Sequence, residues 1–217
     1  MVRMFQLPPK RLREVPFDEK VLVDSLSKEM ATRQIAPSTA ELANYAIEGA
    51  TFLSVEERLP FLDRVLRKRR LLDLGAGFTS GMERFSDLYQ VSEYVAVDLY
   101  LAYPKSRVPG REYVNEDMLR YLSVQPDCSA NICMNAIDQE MLLHPNRLIQ
   151  DGYGEMLLRA ISRVVYPRGI AFGMQSPLLH LLEDFGFERI GRVDGRSVTS
   201  FGALYRKSGP WHIDMPE

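Results

Sequence analysis

The chain has 217 residues, 46% of them apolar and 26% charged, enough to bury one sizeable core with an N-terminal elaboration. Its formal net charge of −2 exerts no global pull toward nucleic acid or an acidic membrane, which makes a nucleic-acid substrate unfavoured. Cys128 and Cys133 lie in one short segment with no well-spaced His pair to complete a zinc site; that, the lack of any apolar run near ~18 residues and a start without a signal-type apolar stretch lead us to expect a metal-free cytoplasmic protein without a membrane partner.

Pro8, Pro9 and Pro16 make the first stretch an extended arm. From Phe17 to Arg33 the spacing of Val21, Leu22, Leu26 and Met30 predicts a helix, and Pro37-Ser38 resets the chain before a second, Thr39 to Glu48. A third follows, with Ser54 as cap, Glu57 completing the capping box, and Leu59, Leu62, Val65 and Leu66 as its apolar stripe. It ends in Arg67-Lys68-Arg69-Arg70, read as cations that complement a helix C-terminus rather than as a phosphate-binding patch.

At Leu71 the pattern changes to short strands alternating with helices. Strands are expected at Arg70 to Leu74, Tyr94 to Leu99, Glu112 to Asn115, Ser129 to Asn135 and Gly169 to Met174, and the clearest intervening helix at Tyr153 to Val165. Such alternation predicts a doubly wound α/β fold, a mostly parallel sheet with helices on both faces. A connection from Ser176 to Phe185 leads into Phe187 to Val193, a Gly195 turn and Val198 to Tyr205, two strands that so short a turn makes antiparallel. The expected organisation is an arm and helical cap over 1–69, an α/β domain over 70–207 and a tail over 208–217 carrying the one tryptophan, Trp211.

Leu71-Leu72-Asp73-Leu74-Gly75-Ala76-Gly77 runs an apolar strand straight into closely spaced glycines before a helix near Gly81 to Leu88. Glycines there let backbone approach a ligand, but a lone Gly-x-Gly is also a common tight turn. A second strand, Val95-Ala96-Val97-Asp98, ends in an acid 25 residues beyond Asp73. A carboxylate at that strand end can accept from both ribose hydroxyls of a nucleoside lying across the sheet. Ser80 stands where a dinucleotide fingerprint needs its third glycine, so a nicotinamide oxidoreductase is the less favoured of the two nucleotide readings.

From Arg70 to about Lys207 the sequence resembles the class I S-adenosylmethionine-dependent methyltransferases. The resemblance implies S-adenosylmethionine as cofactor, with Asp73, Gly75, Ala76 and Gly77 forming the loop around its methionine portion. It implies Asp98 as the ribose ligand and Leu99 as a residue packing on adenine. In Asn115-Glu116-Asp117-Met118 it makes Asp117 the acceptor for the adenine amino group, with Glu116 as the alternative and Met118 meeting the ring through its backbone. Asn131 to Asn135 is similar to the family's fourth strand, placing Asn135 beside the transferable methyl. Leu181 to Glu188 looks like the family's Gly-Phe entry to the sixth strand, and the closing hairpin is a family feature. Departures are Thr79 in place of a third loop glycine, no Asn-Pro-Pro-Tyr after the fourth strand and no Pro-Cys nucleophile, which disfavour amino-nitrogen methylation of DNA or glutamine and C5 methylation of cytosine.

A sulfonium methyl is already activated, so the protein need only align an acceptor and take up its proton. His144 and Asp138 are the candidate bases, with Glu140 and Tyr153 behind them; His144 alone has an ordinary pKa near neutrality, while Asp138 can equally be a helix cap. The resemblance implies transfer to an oxygen or nitrogen of a small molecule or protein. The alternative is a cofactor-binding relative without transferase activity, serving as a binding or regulatory module. The N-terminal helices are expected over the carboxyl ends of the strands, with Asn44 and Tyr45 lining an acceptor pocket, or else with Leu42, Ala46 and Ile47 making that helix a packing element or a homodimer face.

Overall fold

Runs such as Leu71-Leu72 and Ile132-Cys133-Met134 have no polar face to turn to water, and the chain buries them on both sides. The computed structural model describes residues 19–33, 60–76, 80–99, 109–134, 147–173, 177–190, 192–193, 196–197 and 203–208. The strands are β1 (Arg70–Leu74), β2 (Glu93–Asp98), β3 (Arg111–Asn115), β4 (Asn131–Met134), β5 (Ile170–Gly173), β6 (Phe187–Arg189), β7 (Arg192–Val193), β8 (Arg196–Ser197) and β9 (Ala203–Lys207). The helices are α1 (Glu19–Arg33), α2 (Pro60–Leu66), α3 (Ser80–Leu88), α4 (Met118–Ser123) and α5 (Arg147–Val164), with a 3₁₀ helix at Pro177–Phe185.

Seven strands form one sheet in the order β3-β2-β1-β4-β5-β9-β6. The first five named are parallel, and β9 runs antiparallel to both its neighbours. This is the doubly wound, mostly parallel sheet with an antiparallel ending expected from the alternation of elements. The order reverses between β1 and β4, the switch point at which open α/β sheets bind ligands, outside the carboxyl ends of the strands.

Alternation along the strands feeds two cores. Leu72, Leu74, Val95, Val97, Ile132 and Met134 face α1, α4, α5 and the 3₁₀ helix. On the other face Leu71, Tyr94, Ala96, Cys133 and Phe172 meet Leu62 and Leu66 of α2 and Met82 and Phe85 of α3. Val23 and Leu26 bring α1 into the first of these cores, so α1 and α2 lie on opposite faces of the sheet. The second expected helix and the Ser54 cap of the third lie outside the described residues.

Two details of the ending differ from expectation. Phe187 to Val193 is not one strand: β6 ends at Arg189, and Arg192–Val193 pairs with Arg196–Ser197 in a separate β7–β8 ladder. The last described strand is Ala203–Lys207, and it inserts between β5 and β6, antiparallel to both. Ser176 to Phe185 is 3₁₀ over Pro177–Phe185, with Leu178, Leu179 and Leu182 turned into the core.

Polar side chains close the junctions. Arg69 lies over the Tyr166 ring at 5.0 Å, and Arg70 donates to Glu93 at 2.8 Å, Gln125 at 2.8 Å and Tyr121 at 3.0 Å, so these two cations of the basic run are engaged within the protein. Arg163 donates to the carbonyls of Leu122 and Gln125 at the end of α4. Asn131, fully buried in β4, accepts from the Ile170 amide at 2.9 Å and donates to the Val65 carbonyl at 3.1 Å, joining β5 and α2 to the sheet. Asn131→Leu strands both backbone groups and is expected to cost about 2–4 kcal/mol, read as a lower denaturant midpoint with an unchanged m-value.

Candidate functional site

The carboxyl ends of the parallel strands fall at Leu74, Asp98, Asn115, Met134 and Gly173. At the first of them Gly75 turns the chain with φ +70°, a conformation in which a Cβ is strained. The amides of Gly75 and Ala76 both donate to the Val97 carbonyl, at 2.9 and 3.3 Å. The glycine turn is thus pinned to the end of β2, one residue before Asp98. Leu74 is register partner to Val97, and Asp98 to Asn115, so the turn and this acid sit side by side at the switch point. Asp98 and Leu99 are half-buried, and the Leu99 carbonyl accepts from Asn115 at 3.4 Å.

Asp73 is fully buried and points to the α3 face, where the Tyr94 hydroxyl donates to it at 2.6 Å. Burial first, and then the Asp73 charge, push the Tyr94 phenol well above its ordinary pKa. Asp117 caps α4: one carboxylate oxygen accepts from the Arg120 amide at 3.0 Å and the other from the Tyr153 hydroxyl at 2.7 Å. Met118 turns its side chain into the core, and Glu116 pairs with Arg120 at 3.2 Å.

Tyr153 was a candidate base from sequence, and its surroundings argue for another role. It is 1% exposed, its proton is committed to Asp117, and burial followed by the Asp117 charge drives its pKa well up. A phenol so placed takes no proton from an acceptor near neutral pH. Gly77, Asn135, Asp138, Glu140, His144, Asn44 and Tyr45 lie outside the described residues.

Sequence reasoning missed two features of this edge. One is that both buried acids are gripped by a tyrosine from a neighbouring element, since nothing in the local spacing pairs Tyr94 with Asp73 or Tyr153 with Asp117. The other is Gly173, where β5 ends so close to β4 that a Cβ would overlap the Met134 carbonyl oxygen. Among the described residues no group of three or more His, Cys, Asp or Glu could hold a metal, and no helix is long and apolar enough to cross a membrane.

The buried phenols have a consequence in alkali. The unfolded state ionises its tyrosines from about pH 10. Tyr94 and Tyr153, with raised folded-state pKa values, stay protonated in the fold. Their contribution to stability is therefore complete below about pH 10 and lost as the pH rises beyond it. In an ultraviolet titration Tyr113, raised to about 12 by burial and by Glu83, is expected to ionise later than solvent-exposed tyrosines, and Tyr94 and Tyr153 only together with loss of the helical circular dichroism.

No family model matches the chain, and no curated protein matches it either. Among solved structures it is similar to the N-methyltransferase NodS of Bradyrhizobium japonicum, at 10% identity over 76% of this chain and 97% of that one, with a TM-score of 0.49. It is similar to human N-acetylserotonin methyltransferase, solved with S-adenosylmethionine, at 15% identity over 90% and 61% of the two chains and TM-score 0.49. A TehB-like S-adenosylmethionine-dependent methyltransferase of Corynebacterium glutamicum gives 19% identity over 78% and 97%, with TM-score 0.45. The mostly parallel sheet with an antiparallel ending is the architecture expected from the resemblance to class I S-adenosylmethionine-dependent methyltransferases, while the place of β9 between β5 and β6 is seen only in the structure.

Proposed function

We propose that this chain is an S-adenosylmethionine-dependent methyltransferase whose acceptor is a small molecule or a protein. The observation that carries the reading is the contact of the Gly75 and Ala76 amides with the Val97 carbonyl, which sets a left-handed glycine turn beside the Asp98 end of β2, next to the switch point. The donor set suits an adenosyl amino acid. In this reading Asp98 accepts from the two ribose hydroxyls, the glycine turn at Gly75 meets the amino-acid end through its backbone, and Leu99 packs on the base. Asp73, Gly77, Asp117, Met118 and Asn135 complete the proposed cofactor set.

The bound cofactor would supply a methyl group already activated on a sulfonium. The chain's own work is to orient that methyl against an acceptor atom, exclude water and receive the proton released by an oxygen or neutral nitrogen. His144 and Asp138 are the proposed proton acceptors. A cytoplasmic location and, in the stretch around Leu42 to Ile47, a homodimer contact belong to the same proposal.

Calorimetric titration of the purified chain with S-adenosylhomocysteine and, separately, with NAD tests the reading. Micromolar affinity for the former and none for the latter is expected. The reverse pattern sinks it. Formation of S-adenosylhomocysteine from S-adenosylmethionine with candidate acceptors then separates an active transferase from a binding module.

A further inference from the structure

Tyr153 has no part in proton transfer, yet its buried hydroxyl donates its proton to the Asp117 carboxylate. It projects from α5, next to Gly152, which lies under Leu26 of α1, and reaches across to the first turn of α4. There the Asp117 carboxylate is held from two elements at once: by the Arg120 amide of its own helix on Oδ1 and by Tyr153 on Oδ2. One donor leaves a carboxylate free to rotate about its last torsion; a second donor from another element locks its plane. A carboxylate has roughly four acceptor positions, of which these donors occupy two. The residue is 5% exposed, so it cannot swing out to find water instead. Asp117 also lies two residues beyond Asn115, the register partner of Asp98, so it caps α4 just past the end of the strand next to the one that Asp98 closes.

We infer that Tyr153 is a positioning residue that, through Asp117, sets the preference of the crevice for the 6-amino group of adenine over the 6-oxo group of hypoxanthine. The inference rests on the cofactor reading proposed above. An amino group donates to a fixed carboxylate, whereas a 6-oxo group turns an acceptor toward it and is repelled. The discrimination is only as good as the fixation, because a carboxylate free to turn away from the oxo group no longer rejects it.

S-adenosylhomocysteine and S-inosylhomocysteine are titrated calorimetrically into the wild type, Tyr153→Phe and Asp98→Ala, with circular dichroism to confirm folding. The wild type is expected to prefer the adenosyl compound by tenfold or more, a preference worth about one good hydrogen bond to a charged group. Tyr153→Phe should lose most of that preference, and Asp98→Ala should weaken both compounds by the same factor. A merely structural role for Tyr153 would weaken both compounds alike, and an unchanged ratio in Tyr153→Phe overturns the inference while leaving the cofactor reading intact. Should that variant not fold, wild-type protein carrying tyrosine labelled with ¹³C at Cζ at position 153 serves in its place. Its resonance is expected to move with the adenosyl compound and to stay with the inosyl one, and a resonance indifferent to both overturns the inference. A wild type that binds neither compound removes the cofactor reading and this inference with it.

Discussion

Alanine at position 98 is expected to lower the affinity for S-adenosylhomocysteine by about a hundredfold or more while leaving the fold intact. Two ribose hydroxyls donating to one carboxylate make charge-assisted hydrogen bonds, each worth about 1.5–3 kcal/mol, and each 1.4 kcal/mol is about a factor of ten in affinity. Asp98 is half-buried at the last position of β2 and belongs to neither hydrophobic core, so its removal leaves no cavity. Asp98→Asn keeps one acceptor oxygen and should fall between wild type and alanine. Calorimetry reads both variants. Undiminished binding by Asp98→Ala would place the ribose elsewhere and dismantle the site assignment.

The second large effect is on stability. Gly173→Ala is expected to destabilise the chain by about 3 kcal/mol or more, a fall in Tm of roughly 6–12 °C for a chain of this size. The added methyl would run into the Met134 carbonyl, which is backbone at the end of a fully buried strand and cannot move without shifting β4. The proposed methyl-side residue Asn135 follows directly, so any variant that does fold should also bind the cofactor product more weakly. Gly152→Ala is the internal control. Its methyl would meet Leu26 Cδ2 at 3.7 Å, an ordinary contact, within the body of α5. Alanine there removes a helix-interior glycine and should stabilise by about 0.5–1 kcal/mol. Thermal unfolding of the two variants side by side checks the pair, and equal Tm values would contradict the close approach of β5 to β4.

Much of the architecture could be read in advance because the signals are local. Leu71, Leu72 and Leu74, interrupted only by Asp73, and Val95 to Val97 are short apolar stretches, the first stopped by Gly75 and the second closed by Asp98, and they became the central strands β1 and β2. The ending was harder. A Gly195 turn between two strand-like stretches does predict a local antiparallel ladder, but the wider sheet took only Phe187–Arg189 and Ala203–Lys207, a pairing between stretches that the turn does not directly join. Tyr153 shows the same limit in chemistry. Its position in the sequence is compatible with a proton acceptor beside the fourth strand, and its burial against Asp117 is a property of how α5 crosses α4.

By itself the amino-acid sequence determined the strand-helix alternation, the glycine turn after β1 and the acid at the end of β2, since each follows from the period of apolar residues and from what single residue types allow the backbone to do. Only the tertiary structure decided that β9 slips between β5 and β6, that Asp73 and Asp117 are each held by a tyrosine from another element, and that Gly173 leaves no room for a methyl group. These are contacts between residues from 16 to 39 positions apart, and the free energy that selects them comes from burying one element against another, a quantity that no local window contains.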